Sequence, residues 1–220
     1  MYVVAIASQK GGAGKSTFAV NLAALADREG APSLLIDTDM QGSLTVWHNL
    51  RRSRSPLLIS CRAAELPEVL ATAREQGSVE WVFIDGPPHN NAEIAAMMQP
   101  ATLVLIPSRP AVFDLAAVPA TIATARKARR PFFVALNAVP PKRGVVDSPV
   151  VKAARKAVRD MGAPVWRGTI AQRAAYVQAL ASGEAVSEFE PAGAAAEEMR
   201  HLWHDVRQAA EAMAHYQKAG

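Results

Sequence analysis

With 220 residues, half of them hydrophobic, the chain can bury a proper core as one domain or at most a small two-domain protein. No apolar run of about eighteen residues is free of charge, and the N-terminus enters a strand directly, so neither a transmembrane span nor a secretion signal is expected. The single Cys61 rules out an internal disulfide, fits a reducing cytoplasm and reads as core packing.

The first predicted element is the apolar run Val3-Val4-Ala5-Ile6-Ala7, which suits a buried parallel strand. Gln9 to Thr17 follow as Gln-Lys-Gly-Gly-Ala-Gly-Lys-Ser-Thr, and a helix with 3.6-residue spacing then runs from Phe18 toward Gly30. Strand, glycine turn and helix N-terminus together build an anion site, because backbone N–H groups converge there and the helix dipole favours negative charge. Gly11, Gly12 and Gly14 let the main chain wrap phosphate oxygens where a side chain would collide. Ala13 and Thr17 complete the candidate cradle, Lys15 is placed to reach the terminal phosphates, and the Ser16 hydroxyl is placed to ligate magnesium.

Further strands are expected at Ser33–Asp37, Trp81–Asp85, Leu103–Pro107 and Phe132–Asn137. Helices are expected near 65–76, 90–98, 114–128, 149–161, 171–182 and 192–216. This alternation predicts an α/β three-layer sandwich with a mostly parallel central sheet flanked by helices. The whole chain, 1–220, reads as one domain with the 192–216 helix packed on its body, without internal repeat or long low-complexity linker. Ligands of such sheets bind at the carboxyl ends of the strands, where Asp37 and Asp85 both lie. Asp85 precedes Gly86-Pro87-Pro88, a turn that ends the strand. Its position matches a Walker B aspartate holding magnesium, with the Gly86 N–H within reach of a γ-phosphate. The five histidines, His48 and His89 among them, have no metal-ligand spacing.

The loop departs from the ordinary P-loop pattern by carrying Gln9 where glycine is usual and Lys10 one residue later. Lys-Gly-Gly-x-Gly-Lys-[Ser/Thr] resembles the deviant Walker A motif of the ParA/MinD ATPases, closest to small ParA-type partition ATPases. The resemblance implies ATP and Mg2+ as cofactors, and a homodimer in which Lys10 crosses to the partner's nucleotide. The segment Asp37-Thr-Asp39-Met-Gln41-Gly42 is similar to the family's switch segment. By that resemblance Asp39 orients the attacking water, while Asp37 supports the metal shell or the loop. Ile106-Pro107-Ser108 with Phe113-Asp114-Leu115, Thr169–Tyr176 and Gly183–Glu188 extend the likeness to about residue 188. Asn137 stands where the family places an asparagine against adenine, whereas Asp114 is read as a helix cap. The short N-terminus has no room for a helix-turn-helix extension.

Charge is unevenly placed. From Arg126 to Arg173 there are twelve Lys or Arg and two acids, leaving −6 for the rest of a chain whose total is +4. Ser148 and Pro149 open a helix as cap and first-turn residue. On it Lys152, Arg155, Lys156 and Arg159 fall at i, i+3, i+4 and i+7, a stripe suited to a phosphate backbone without base reading. Arg173 is a further DNA-binding candidate. The combined expectation is a cytoplasmic, nucleoid-associated ATPase, slow and partner-stimulated, that partitions DNA or positions cargo. Its ATP-bound homodimer binds double-stranded DNA nonspecifically, and a ParB-like adaptor triggers hydrolysis and release. The alternatives are a MinD-like membrane switch and a metabolic P-loop enzyme such as a dethiobiotin-synthetase-like ligase. The last helix has nearly balanced charge and no lysine-rich face for anionic lipid, so no membrane partner is expected. A ligase has little use for Lys10.

Overall fold

The computed structural model describes residues 1–88, 90–141 and 146–219, with side chains to residue 214. His89, together with Lys142 and Arg143 of the basic stretch 126–173, lies outside the described residues. The strands are β1 (Tyr2–Ile6), β2 (Ser33–Asp37), β3 (Leu57–Ser60), β4 (Trp81–Asp85), β5 (Leu103–Ser108) and β6 (Phe132–Leu136). They form a six-stranded sheet in the order β3-β2-β4-β1-β5-β6, and every pairing is parallel. The helices are α1 (Lys15–Arg28), α2 (Ser43–Leu50), α3 (Leu66–Gln76), α4 (Asn91–Met98) and α5 (Val112–Leu115). After them come α6 (Val118–Lys127), α7 (Pro149–Asp160), α8 (Ala174–Ala181), α9 (Val186–Phe189) and α10 (Ala194–Ala219).

The central strands are apolar on both faces because helices cover both. Val4, Ile6, Trp81 and Phe83 point into one cluster with Phe18 and Leu22 of α1 and Met199, Leu202 and Trp203 of α10. Val3, Ala5, Val82 and Ile84 point into the other, against Leu70 of α3, Ile94 and Met97 of α4, and Ile122 of α6. The apolar stripe of α10, Met199, Leu202, Trp203 and Val206, is buried. The Trp203 indole N–H also donates to Glu29 at 2.9 Å, which fixes the helix against the end of α1.

Several local expectations need correction. The sheet has an edge strand, β3, that period-based reading passed over because three of its four residues are exposed. The segment 43–50 is helical as α2 and 186–189 as α9, neither of which was expected. The helix expected over 114–128 is two helices, with Pro119 in the first turn of α6 where its missing N–H does no harm. Asp114 therefore does not cap: it sits inside the first turn of α5, whose cap position is Ala111. Ser148 does occupy the cap position of α7, but its hydroxyl makes no capping bond.

Candidate nucleotide site

The parallel sheet brings the loops after β1, β2, β4, β5 and β6 to one edge. After β1 the chain reaches α1 through a glycine turn in which Gly12 has φ 72° and Gly14 φ 104°, a region that L side chains avoid. Gly14 is the cap residue of α1, and its carbonyl accepts the Phe18 N–H at 3.0 Å. At Gly14 a β-carbon would also collide with the Asn137 side chain. The Asn137 amide donates to the Ala13 carbonyl at 2.7 Å, and the Gln9 amide donates to Asn91 at 2.6 Å, so the loop is held from two sides.

The loop forms one wall of a cleft of about 550 Å³. Gly11, Gly12, Gly14, Lys15, Ser16 and Thr17 line it, with Asp39 and Gln41 from the segment after β2 and Asn137 from the end of β6. Ala13 is buried behind the loop. Lys10 does not line the cleft: it stands half-buried on the loop's shoulder, and its ammonium has no ion pair or hydrogen bond among the described residues. Arg109, Tyr176, Val177 and Leu180 also line the cleft and were not read as site residues. For Arg109 a signal existed, since it directly follows a strand end, the position that singled out the two aspartates.

Asp85, Asp37 and Lys15 are buried beneath this surface. Burial pushes the Asp85 carboxyl up to about 7, although the Ser16 hydroxyl and the Lys15 ammonium pull it down. Burial likewise lowers Lys15, opposed by Asp85 and Asp39. Asp85 Oδ1 is buried without a hydrogen-bond partner among the described residues. A buried carboxyl oxygen without a hydrogen-bond partner, beside a serine hydroxyl and under an anion-binding loop, fits a hard cation such as Mg2+. No cluster of three or more His, Cys, Asp or Glu suited to a metal exists among the described residues.

Asp37 is differently employed. Its Oδ1 accepts the Asp39 N–H at 3.0 Å and its Oδ2 the Leu44 N–H at 3.2 Å, so it ties the segment 39–44 to the end of β2. Burial raises its carboxyl, with those two N–H groups opposing. Of the two roles considered for Asp37, metal shell and loop support, this geometry serves the loop. Asp39, partly exposed, turns its Oδ1 to the Gln41 N–H at 3.0 Å. The Thr38 N–H and hydroxyl both donate to the Asp85 carbonyl at 2.9 Å, coupling the ends of β2 and β4.

The basic stripe on α7 is only partly a surface. Lys152, Lys156 and Arg159 are exposed, and Lys156 pairs with Asp160 at 2.6 Å. Arg155 is a correction: it is 8% exposed, pairs with Asp147 at 2.9 Å and donates to the carbonyls of Trp166, Arg167 and Gly168. Its guanidinium pins the 166–168 loop to the helix and is not presented for DNA. Arg173 is a second correction, since it lines the nucleotide cleft and pairs with Glu198 at 2.7 Å.

An all-parallel sheet with a glycine-loop anion cradle at its carboxyl edge defines a P-loop nucleotide-binding protein. Residues 4–186 match the CobQ/CobB/MinD/ParA nucleotide binding domain, and the chain belongs to this ParA/MinD family of ATPases. Maintenance of carboxysome distribution protein A of Halothiobacillus neapolitanus is 26% identical over 93% of this chain and 96% of its own length. The protein of that name from Gloeobacter kilaueensis is 40% identical over 122 residues, which span 54% of this chain and 55% of the relative. The solved structure of apo McdA from Cyanothece superposes with a TM-score of 0.78 at 18% identity, covering 95% of this chain and 99% of that one.

Proposed function

We propose that the chain is an ATP-hydrolysing switch that positions a cargo, closing as a homodimer on ATP and opening after hydrolysis. The observation that carries this reading is the buried, unpaired Asp85 oxygen beside Lys15 and Ser16, directly under a cradle built for phosphates. In it Gly11 to Thr17 hold the phosphate chain through backbone N–H groups, and the Lys15 ammonium neutralises the charge that spreads as the terminal phosphoryl leaves. Ser16 and Asp85 are the protein oxygens that would hold Mg2+, which supplies further neutralisation of the β- and γ-phosphates. Asp39, partly exposed at the mouth of the cleft, orients the attacking water, and Asp37 fixes the segment that carries it. The adenine lies toward Asn137 and the α8 side of the cleft. Lys10, unengaged on the shoulder of the loop, is available to a second protomer's phosphates.

The exposed Lys152, Lys156 and Arg159, with neighbouring bases of the same stretch, supply a DNA-backbone surface for the ATP dimer. A ParB-like adaptor accelerates hydrolysis and releases it. The carboxysome-distribution names of the relatives favour a carboxysome-like cargo over a replicon. The membrane alternative loses support because the apolar stripe of α10, Met199, Leu202, Trp203 and Val206, is spent on the core.

Retention on nonspecific DNA and on anionic liposomes, measured side by side with ATP, ADP and no nucleotide, tests this reading. Salt-sensitive, ATP-dependent retention on DNA alone is expected. Retention on liposomes alone, or on DNA regardless of nucleotide, would overturn it.

A further inference from the structure

Past the last residues of β5, Pro107 and Ser108, the chain continues as Arg109-Pro110, with Arg109 exposed and the backbone around it tied by hydrogen bonds. The Ser108 carbonyl accepts the Asn137 N–H at 2.8 Å, and the Ser108 hydroxyl donates to the Arg109 carbonyl at 3.1 Å. Pro110 confines Arg109 to extended backbone. Its guanidinium lies beside the phosphate loop, where a β-carbon placed on Gly12 would be 3.8 Å from Nη2. Among the described residues, no other side-chain atom lies within 4 Å of that position.

The other cations of the cleft are engaged. Lys15 feels Asp85 and Asp39, and Arg173 is paired with Glu198. Arg109 lines the same cleft, and its guanidinium has no ion pair or hydrogen bond among the described residues. A planar five-donor cation, held beside backbone N–H groups that converge on an anion, matches the geometry of phosphate oxygens. We infer that Arg109 is a further phosphate-binding residue, closing its guanidinium on the triphosphate that Gly11 to Lys15 cradle. This rests on reading the cleft as a nucleotide site. A triphosphate offers these added donors one phosphoryl group more than a diphosphate does, so the triphosphate gains more from them.

The test is equilibrium binding of a non-hydrolysable ATP analogue and of ADP to wild-type protein, Arg109→Ala and Arg109→Lys, with thermal melting of the nucleotide-free proteins. Losing charge-assisted hydrogen bonds should weaken analogue binding by about tenfold in Arg109→Ala, with a smaller loss for ADP. Arg109→Lys should fall between, because it keeps the charge and loses the fork. Melting should not move, since an exposed and unpaired side chain is being removed. Analogue affinity within twofold of wild type in Arg109→Ala would overturn the inference while leaving the nucleotide site intact. An affinity loss matched by a lower melting temperature would also overturn it, showing a structural role. Wild-type protein that binds neither nucleotide would overturn the reading of the cleft itself, and this inference with it.

Discussion

The Asn137 amide lies across Gly14 and donates to the carbonyl of Ala13 at 2.7 Å, so the end of β6 steadies the phosphate loop of β1 from two strands away. Asn137→Ala removes that brace and should weaken ATP binding about three- to tenfold. Gly14→Ala should be far worse, since it meets both the Asn137 side chain and a φ of 104°. Combining the two relieves the collision but not the backbone strain, so the double variant should stay below Asn137→Ala. Nucleotide titration of the three proteins checks that order.

Asp85 gives the nucleotide-free protein a pH dependence with a definite sign. Its carboxyl ordinarily titrates near 3.8 and is raised to about 7 in the fold, so between those values the folded state holds a proton that the unfolded state has lost. Stability from this group is therefore full below about 4 and is lost as pH rises to about 7. If Asp85 holds Mg2+ as proposed, it does so in the ionised form, so Mg2+-dependent nucleotide binding should strengthen over the same interval. Asp85→Asn should flatten the stability profile, raise the melting temperature at pH 8 and abolish turnover. Melting and Mg2+ titrations from pH 4 to pH 8 read each part.

Two arginines four residues apart on α7 should behave in opposite ways. Arg155→Ala takes the donor from three loop carbonyls and from Asp147, and should destabilise the fold by about 3 kcal/mol. Arg159→Glu together with Lys152→Glu alters exposed positions and should leave stability within about 0.5 kcal/mol. That pair should weaken ATP-dependent DNA binding and reduce its salt dependence. Denaturant unfolding and DNA binding at two salt concentrations separate the outcomes.

The difference between these arginines shows how far the sequence could be read. The phosphate loop was legible because its chemistry is local: glycines, lysine and serine lie within nine residues, between a strand and a helix. The two aspartates were legible because each ends an apolar run. Arg155 misled because charge spacing was followed without the apolar spacing beneath it. It lies four residues after Val151 and three before Val158, both buried, so it shares their face. Arg173 faces the cleft through pairing with Glu198 of a distant helix, which no local pattern encodes. The edge strand β3 was missed because its Leu57 and Ile59 are exposed, so its sequence carries no two-sided burial signal. Apolar spacing continues through 114–128, but Pro119 at the start of α6 marks the break between two helices.

The central claim is that ATP joins two copies of this chain through Lys10. Light scattering of Asp39→Ala, in which the proposed role of Asp39 predicts that hydrolysis is blocked, tests it most directly. With saturating Mg·ATP the account predicts a species of twice the 23.4 kDa monomer mass, and its loss when Lys10→Ala is added. A mass that stays at 23.4 kDa under those conditions, in protein that binds the nucleotide, would contradict it.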